Sequence, residues 1–171
     1  MKNPWLYILG AMLLGLIGLG GNPSEAAGPI VWSQKFKCET SCPRFTVLRT
    51  WDSAAVLDRE TGLVWEKSPD GTSYTWANAQ DHCNKLQVSN RMGWRVPTLQ
   101  ELTSLVDPSQ ANPSLPSAHP FTNLVNSVYW TATTYDPNTT AAWGLDLHDH
   151  STGGVSKASL ITVWCVRGGS G

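Results

Sequence analysis

Gly93-Trp94-Arg95-Val96-Pro97-Thr98-Leu99-Gln100-Glu101-Leu102 reads as an extended segment that hands its chain into a capped helix. Thr98 and Glu101 stand at capping-box spacing, Thr-x-x-Glu. The threonine hydroxyl can accept from the Glu101 amide, and the glutamate can reach back to the Thr98 amide. Pro97 keeps Val96 extended. Leu99, Leu102, Leu105 and Val106 then recur at helical spacing, which predicts a helix over about Leu99 to Val106 that stops at Asp107-Pro108. An arginine entering a core must be paired. Glu101, Asp58 and Asp107 are the candidate partners of Arg95, which is expected to be a half-buried scaffold residue.

Upstream, Ala54 to Lys67 holds two apolar runs around Asp58-Arg59-Glu60-Thr61-Gly62. This predicts a hairpin in which Gly62 supplies a positive φ. Arg44 to Trp51 has strand character, and Pro69 to Ser73 is a turn. Thr75 can cap a helix over Trp76 to Leu86, because Trp76, Ala79, Cys83 and Leu86 share one helical face. Downstream, Pro108 to Asn126 is irregular and carries Pro108, Pro113, Pro116 and Pro120. Long loops of this kind are often functional. Val128 to Tyr135 and Ala141 to Leu147 read as strands around an Asp136 to Thr140 turn, and Leu160 to Val166 closes the sheet. The elements together give an α+β class.

The 171 residues carry a net charge of −1. A nucleic-acid partner would need a basic patch, and the arginines and lysines are dispersed. Residues 1–27 read as a signal peptide: Lys2, an apolar run from Trp5 to Leu19, then Ser24-Glu25-Ala26-Ala27. The run falls short of the roughly 20 residues a spanning helix needs. A membrane contact would therefore come only through an uncleaved segment, and the expected location is the periplasm or the cell exterior. Residues 28–43 form an N-terminal arm, 44–167 a single domain, and 168–171 a flexible tail.

Four cysteines in an exported chain, Cys38, Cys42, Cys83 and Cys165, argue for two disulfides with three connectivities. A Cys38-x-x-x-Cys42 metal site would lack a second ligand pair. Asp146, His148 and His150 alternate along a predicted strand end, which would put two imidazoles and a carboxylate on one face, a set suited to zinc. Simple solvation at a strand end is the other reading. The chain has no Gly-x-Ser-x-Gly, no His-Glu-x-x-His and no phosphate-binding glycine loop. No catalytic residue is assigned and no cofactor is required, calcium and zinc being the candidates that remain.

In order, the chain reads Asp58-x-x-Thr61-Gly62-Leu63-x-Trp65, Trp76-Ala77-x-Ala79-x-x-x-Cys83, Gly93-Trp94-Arg95-x-Pro97-Thr98-x-x-Glu101-Leu102, Tyr129-Trp130, Ala142-Trp143-x-Leu145-Asp146 and Cys165-Val166-Arg167. This series resembles the bacterial DUF1566 family, also called the Lcl C-terminal domain family, from about Arg44 to Arg167. The resemblance implies a C-type-lectin-like fold: two helices flanking a small curved antiparallel sheet with a long loop region. It also implies a long bridge from the first helix to the last strand, Cys83–Cys165, leaving Cys38–Cys42 as a local clip on the arm. Some members of that family are adhesins that bind sulfated polysaccharides, and most have no assigned role. Lectins that coordinate calcium through Glu-Pro-Asn and Trp-Asn-Asp differ from this chain. Asp136-Pro137-Asn138 here sits in a turn, and Trp143-Gly144-Leu145-Asp146 stands where Trp-Asn-Asp would be, so the usual lectin calcium site is expected to be absent.

Of nine tryptophans, Trp65, Trp76, Trp94, Trp130 and Trp143 belong to the family motifs and are expected in the core. Trp32, Trp51 and Trp164 fall outside them. With Tyr135 they are the candidate ligand contacts. The reading is an exported, non-enzymatic binding module for a surface polysaccharide, acting through the Pro-rich loop and the last strands. The alternative is a structural accessory subunit of an envelope or extracellular assembly, with a protein partner.

Overall fold

A computed structural model of the chain describes residues 43–168. The expected signal segment, the expected arm with Trp32 and the expected Cys38–Cys42 clip, and the residues beyond Gly168 lie outside the described residues. Within them the chain is α+β. It forms β1 (Phe45–Val47), a 3-10 turn (Arg49–Trp51), β2 (Ala55–Asp58), β3 (Val64–Glu66), β4 (Ser73–Tyr74), α1 (Trp76–Lys85), β5 (Trp94–Arg95) and α2 (Leu99–Thr103). Then follow β6 (Val128–Thr134), β7 (Ala141–Asp146), β8 (Thr152–Ser156), β9 (Ile161–Thr162) and β10 (Val166–Arg167). No helix among the described residues is long and apolar enough to cross a membrane.

The single sheet expected is in fact two five-stranded sheets, ordered β1-β2-β3-β10-β5 and β4-β9-β6-β7-β8. The first is antiparallel throughout. The second holds one parallel pairing, β6 with β9. The closing run Leu160 to Val166 is divided between them: β9 joins the second sheet and β10 lies between β3 and β5 in the first. Val163, Trp164 and Cys165 between these strands, and Val166 at the start of β10, alternate between two core clusters. An extended chain points successive side chains to opposite sides. When both sides are covered, every position of such a run is apolar.

Each element follows from local chemistry. Gly62 takes φ 75°, as the hairpin loop requires. Thr75 caps α1 by accepting from the Asn78 amide, and α1 buries Ala79 and Cys83. Thr98 and Glu101 form the full capping box at α2. That helix is shorter than its apolar spacing predicts. The Thr103 hydroxyl donates to the Leu99 carbonyl (2.8 Å) and the Ser104 hydroxyl to the Glu101 carbonyl (2.7 Å), and such back-bonding competes with helix continuation. Leu105 and Val106 then bond three residues back, to Leu102 and Thr103, and Leu105 still reaches the core. Strand β8 had no apolar signal, because Gly153 and Gly154 occupy its centre.

Trp65, Trp94 and Trp130 are buried, as expected, whereas Trp76 and Trp143 are only half-buried. Two of these buried indoles find a carbonyl acceptor, while Trp65 Nε1 meets none among the described residues. Trp130 Nε1 donates to the Tyr74 carbonyl at 2.8 Å and Trp94 Nε1 to the Arg91 carbonyl at 2.9 Å.

Candidate functional site

Cys83 of α1 and Cys165, next to β10, form a disulfide with Cα atoms 5.5 Å apart. The bridge anchors the end of α1 to the chain that crosses between the sheets. Beside it opens a cleft of about 440 Å³. Its walls are the turn Asp52–Ala54 before β2, the segment Glu66–Ser68 at the end of β3, the segment Leu86–Ser89 after α1, and Thr122 of the Pro-rich loop.

Local bonds fix these walls. The Lys67 amide donates to the Ala54 carbonyl (3.0 Å), and the Thr122 amide donates to the Lys67 carbonyl (2.8 Å). The Ser89 hydroxyl donates to Asp52 Oδ2, tying two walls together. Asp52, Ser53 and Ser89 hold positive φ values of 51°, 57° and 51°. Non-glycine residues pay for that conformation and cluster where the surrounding structure over-determines it.

Glu66 is the unusual member. It ends an apolar strand, is 8% exposed, and still lines the cleft. Its Oε2 accepts from the Cys165 amide at 3.2 Å. No second donor meets the carboxyl among the described residues, and no ion pair joins it to Lys67. Burial lifts its pKa to about 7. The Cys165 hydrogen bond opposes that rise, and nearby Asp70 adds to it. Sequence reasoning passed over Glu66, although an ionisable residue closing Val64-Trp65 in a buried strand was the available signal.

The residues expected to contact ligand are scattered. Trp164 is fully buried, packed edge-on to Phe121 at 4.7 Å, with Nε1 on the Glu66 carbonyl at 2.9 Å. It is a core residue and not a surface platform, because the crossing segment is covered on both sides. Trp51 is half-buried beside the cleft. The Arg91 and Arg167 guanidinium groups lie 4.6 Å and 5.3 Å from its ring, and Trp94 meets it edge-on. Tyr135 lies on the other sheet, its ring 4.8 Å from Trp143.

The alternation expected of Asp146, His148 and His150 fails. Asp146 ends β7 and accepts from the His148 amide at 2.8 Å, a local turn that stops the strand. His150 takes φ 57°, and both histidines are exposed. Among the described residues no three His, Cys, Asp or Glu side chains gather closely enough to hold a metal ion.

The Pro-rich loop is also not a free arm. Its Leu115 and Phe121 sit in the core, and its Ser114 amide donates to the Leu147 carbonyl at 2.8 Å. Arg95 is half-buried and paired as expected. It makes two bonds to Glu101, at 2.6 and 2.7 Å, and one to the Gly168 carbonyl at 2.7 Å. Of the other two candidates, Asp58 is paired with Arg44 at 2.9 Å, and Asp107 accepts from the Ser109 amide and hydroxyl at 2.9 and 2.7 Å.

No curated protein matches the chain. The family model described as the Lcl C-terminal domain matches residues 54–167. That span takes in β2 through β10, both helices and the disulfide, and the chain belongs to the Lcl C-terminal domain family.

Proposed function

We propose that this domain is an exported, non-enzymatic binding module that recognises a surface polysaccharide, without the usual lectin calcium site. The observation that carries the reading is the cleft beside the disulfide. Its wall of Asp52, Ser53, Glu66, Ser68, Gln87, Ser89 and Thr122 offers hydroxyl, amide and carboxyl groups of the kind that meet sugar hydroxyls. A C-type-lectin-like architecture belongs to the same proposal. The two short helices, the antiparallel pairings, the long packed loop and the bridge from α1 to the last strand support it. Asn138 spends its side chain inside its own turn, accepting from the Thr140 amide and hydroxyl. This favours recognition without calcium at that turn. Export by cleavage after Ala27 is part of the proposal, and the disulfide supports it.

An accessory-subunit role would call for a contiguous apolar face. Met92, Val125 and Leu160, the exposed large apolar side chains among the described residues, come from three separate loops. The test is a polysaccharide array probed with the oxidised exported chain, with calcium and again with EDTA. Selective binding that survives EDTA is expected. Binding lost in EDTA would overturn the calcium-free part. No binding in either condition would move the assignment to the accessory subunit.

A further inference from the structure

Glu66 is nine-tenths buried and yet lines an open cleft. A carboxyl in that position needs partners, because an unpaired buried charge is costly. It has one, the Cys165 amide on Oε2. Oε1 meets no donor among the described residues, and it is not among the side-chain atoms that are both sealed from solvent and unpartnered. That oxygen is therefore open to solvent, on a residue that lines the cleft.

A second carboxylate, Asp52, stands at the rim and accepts from Ser89. Among the described residues, Lys67 is the one cation on the wall. No ion pair joins it to either carboxylate. Arg91, two residues beyond Ser89, is turned onto the Trp51 ring and donates to the Ser89 carbonyl at 3.0 Å. The cleft thus presents a recessed carboxyl without a counter-charge, ringed by neutral hydroxyls and an amide.

Resting on the polysaccharide reading, we propose that the cleft selects a polymer bearing free primary amines, a de-N-acetylated amino sugar, whose ammonium group docks on Glu66 Oε1. An ammonium supplies the missing donor and the missing charge together. An N-acetyl group in the same place offers a neutral amide and a bulky methyl. Asp52 gives a second, weaker attraction at the rim, where water screens it. Ser53, Ser68, Ser89 and Thr122 are left to meet ring hydroxyls.

The test is calorimetric titration of the oxidised exported chain with three tetrasaccharides: glucosamine, N-acetylglucosamine and glucose. The glucosamine oligomer is expected to bind about tenfold tighter or more than the acetylated one, the margin of one charge-assisted hydrogen bond. Glu66→Gln keeps the shape and an acceptor for the Cys165 amide. It is expected to erase that preference, so that the glucosamine and N-acetylglucosamine oligomers bind the variant with equal affinity. Asp52→Asn should reduce the preference only in part and serves as the check should Glu66→Gln misfold. Equal binding of the amine and acetyl oligomers would overturn the amine inference and leave the polysaccharide reading standing. No binding of any of the three would overturn both.

Discussion

Glu66 couples the fold to pH. Its carboxyl moves from 4.5 to about 7 on folding, chiefly through burial. The folded chain therefore holds a proton that the unfolded chain releases within that window. A carboxyl with a raised folded pKa adds stability that is fully present below the unfolded value and lost as pH climbs through the folded one. Unfolding free energy is expected to fall between about pH 4.5 and pH 7 and to flatten above. At about 1.4 kcal/mol per tenfold change in proton affinity, the fall is on the order of 3 kcal/mol. Denaturant titrations at about pH 5 and pH 8 check it. Superimposable pH profiles for the native chain and Glu66→Gln would show that another group titrates. Glu101 behaves oppositely. Burial works against its charge, but the bonds from Arg95 and the Thr98 amide outweigh that and hold its carboxyl below the usual range. It serves two structures at once, the capping box and the Arg95 pair. Glu101→Ala is expected to cost about 2–3 kcal/mol, a cap plus a half-buried ion pair. A loss under about 0.5 kcal/mol would show that neither contact matters.

The elements were legible wherever a side chain announces its own backbone. Thr75, Thr98, Gly62 and the apolar face of α1 predicted starts, turns and burial that the structure repeats. Legibility failed where the deciding partner is distant. Nothing local in Thr152-Gly153-Gly154-Val155-Ser156 requires a strand; the partner β7 does. Alternation in Asp146-Leu147-His148 suggested one, and a single Asx turn cancelled it. The cleft was unreadable for the same reason, since its walls come from four separated segments. Strands β7 and β8 allow a paired test, because Gly144 and Gly153 lie opposite each other. A Cβ on Gly144 would stand 2.7 Å from Val128 Cγ1 and 3.2 Å from Val155 Cγ2, whereas one on Gly153 meets nothing within 4 Å. Gly144→Ala is expected to lose about 1–3 kcal/mol by overpacking, and Gly153→Ala to stay within about 0.5 kcal/mol. Thermal melts of the two variants decide it, and equal losses would contradict the packing.

At the scale of the molecule, two sheets and two core clusters meet along one crossing segment, Val163–Val166. The family motifs were enough to place the disulfide, but not to show that the closing run serves both sheets. Tying Cys83 to Cys165 closes a loop over a sequence separation of 82 residues. In the chain-entropy account this is worth on the order of 4 kcal/mol. Cys83→Ser with Cys165→Ser should lower the unfolding free energy by about that amount, measured against the oxidised chain in denaturant. A double variant as stable as the parent would show that packing alone holds the crossing segment.

The same bridge determines what a protease can achieve. Both ends of the Pro-rich loop lie between Cys83 and Cys165. A single backbone cut there releases no fragment: the two pieces remain one covalent molecule, joined through sulfur. A nicked chain would migrate as one band without reductant and as two with it. Three walls of the cleft, 52–54, 66–68 and 86–89, would all stay on the piece that carries Cys83.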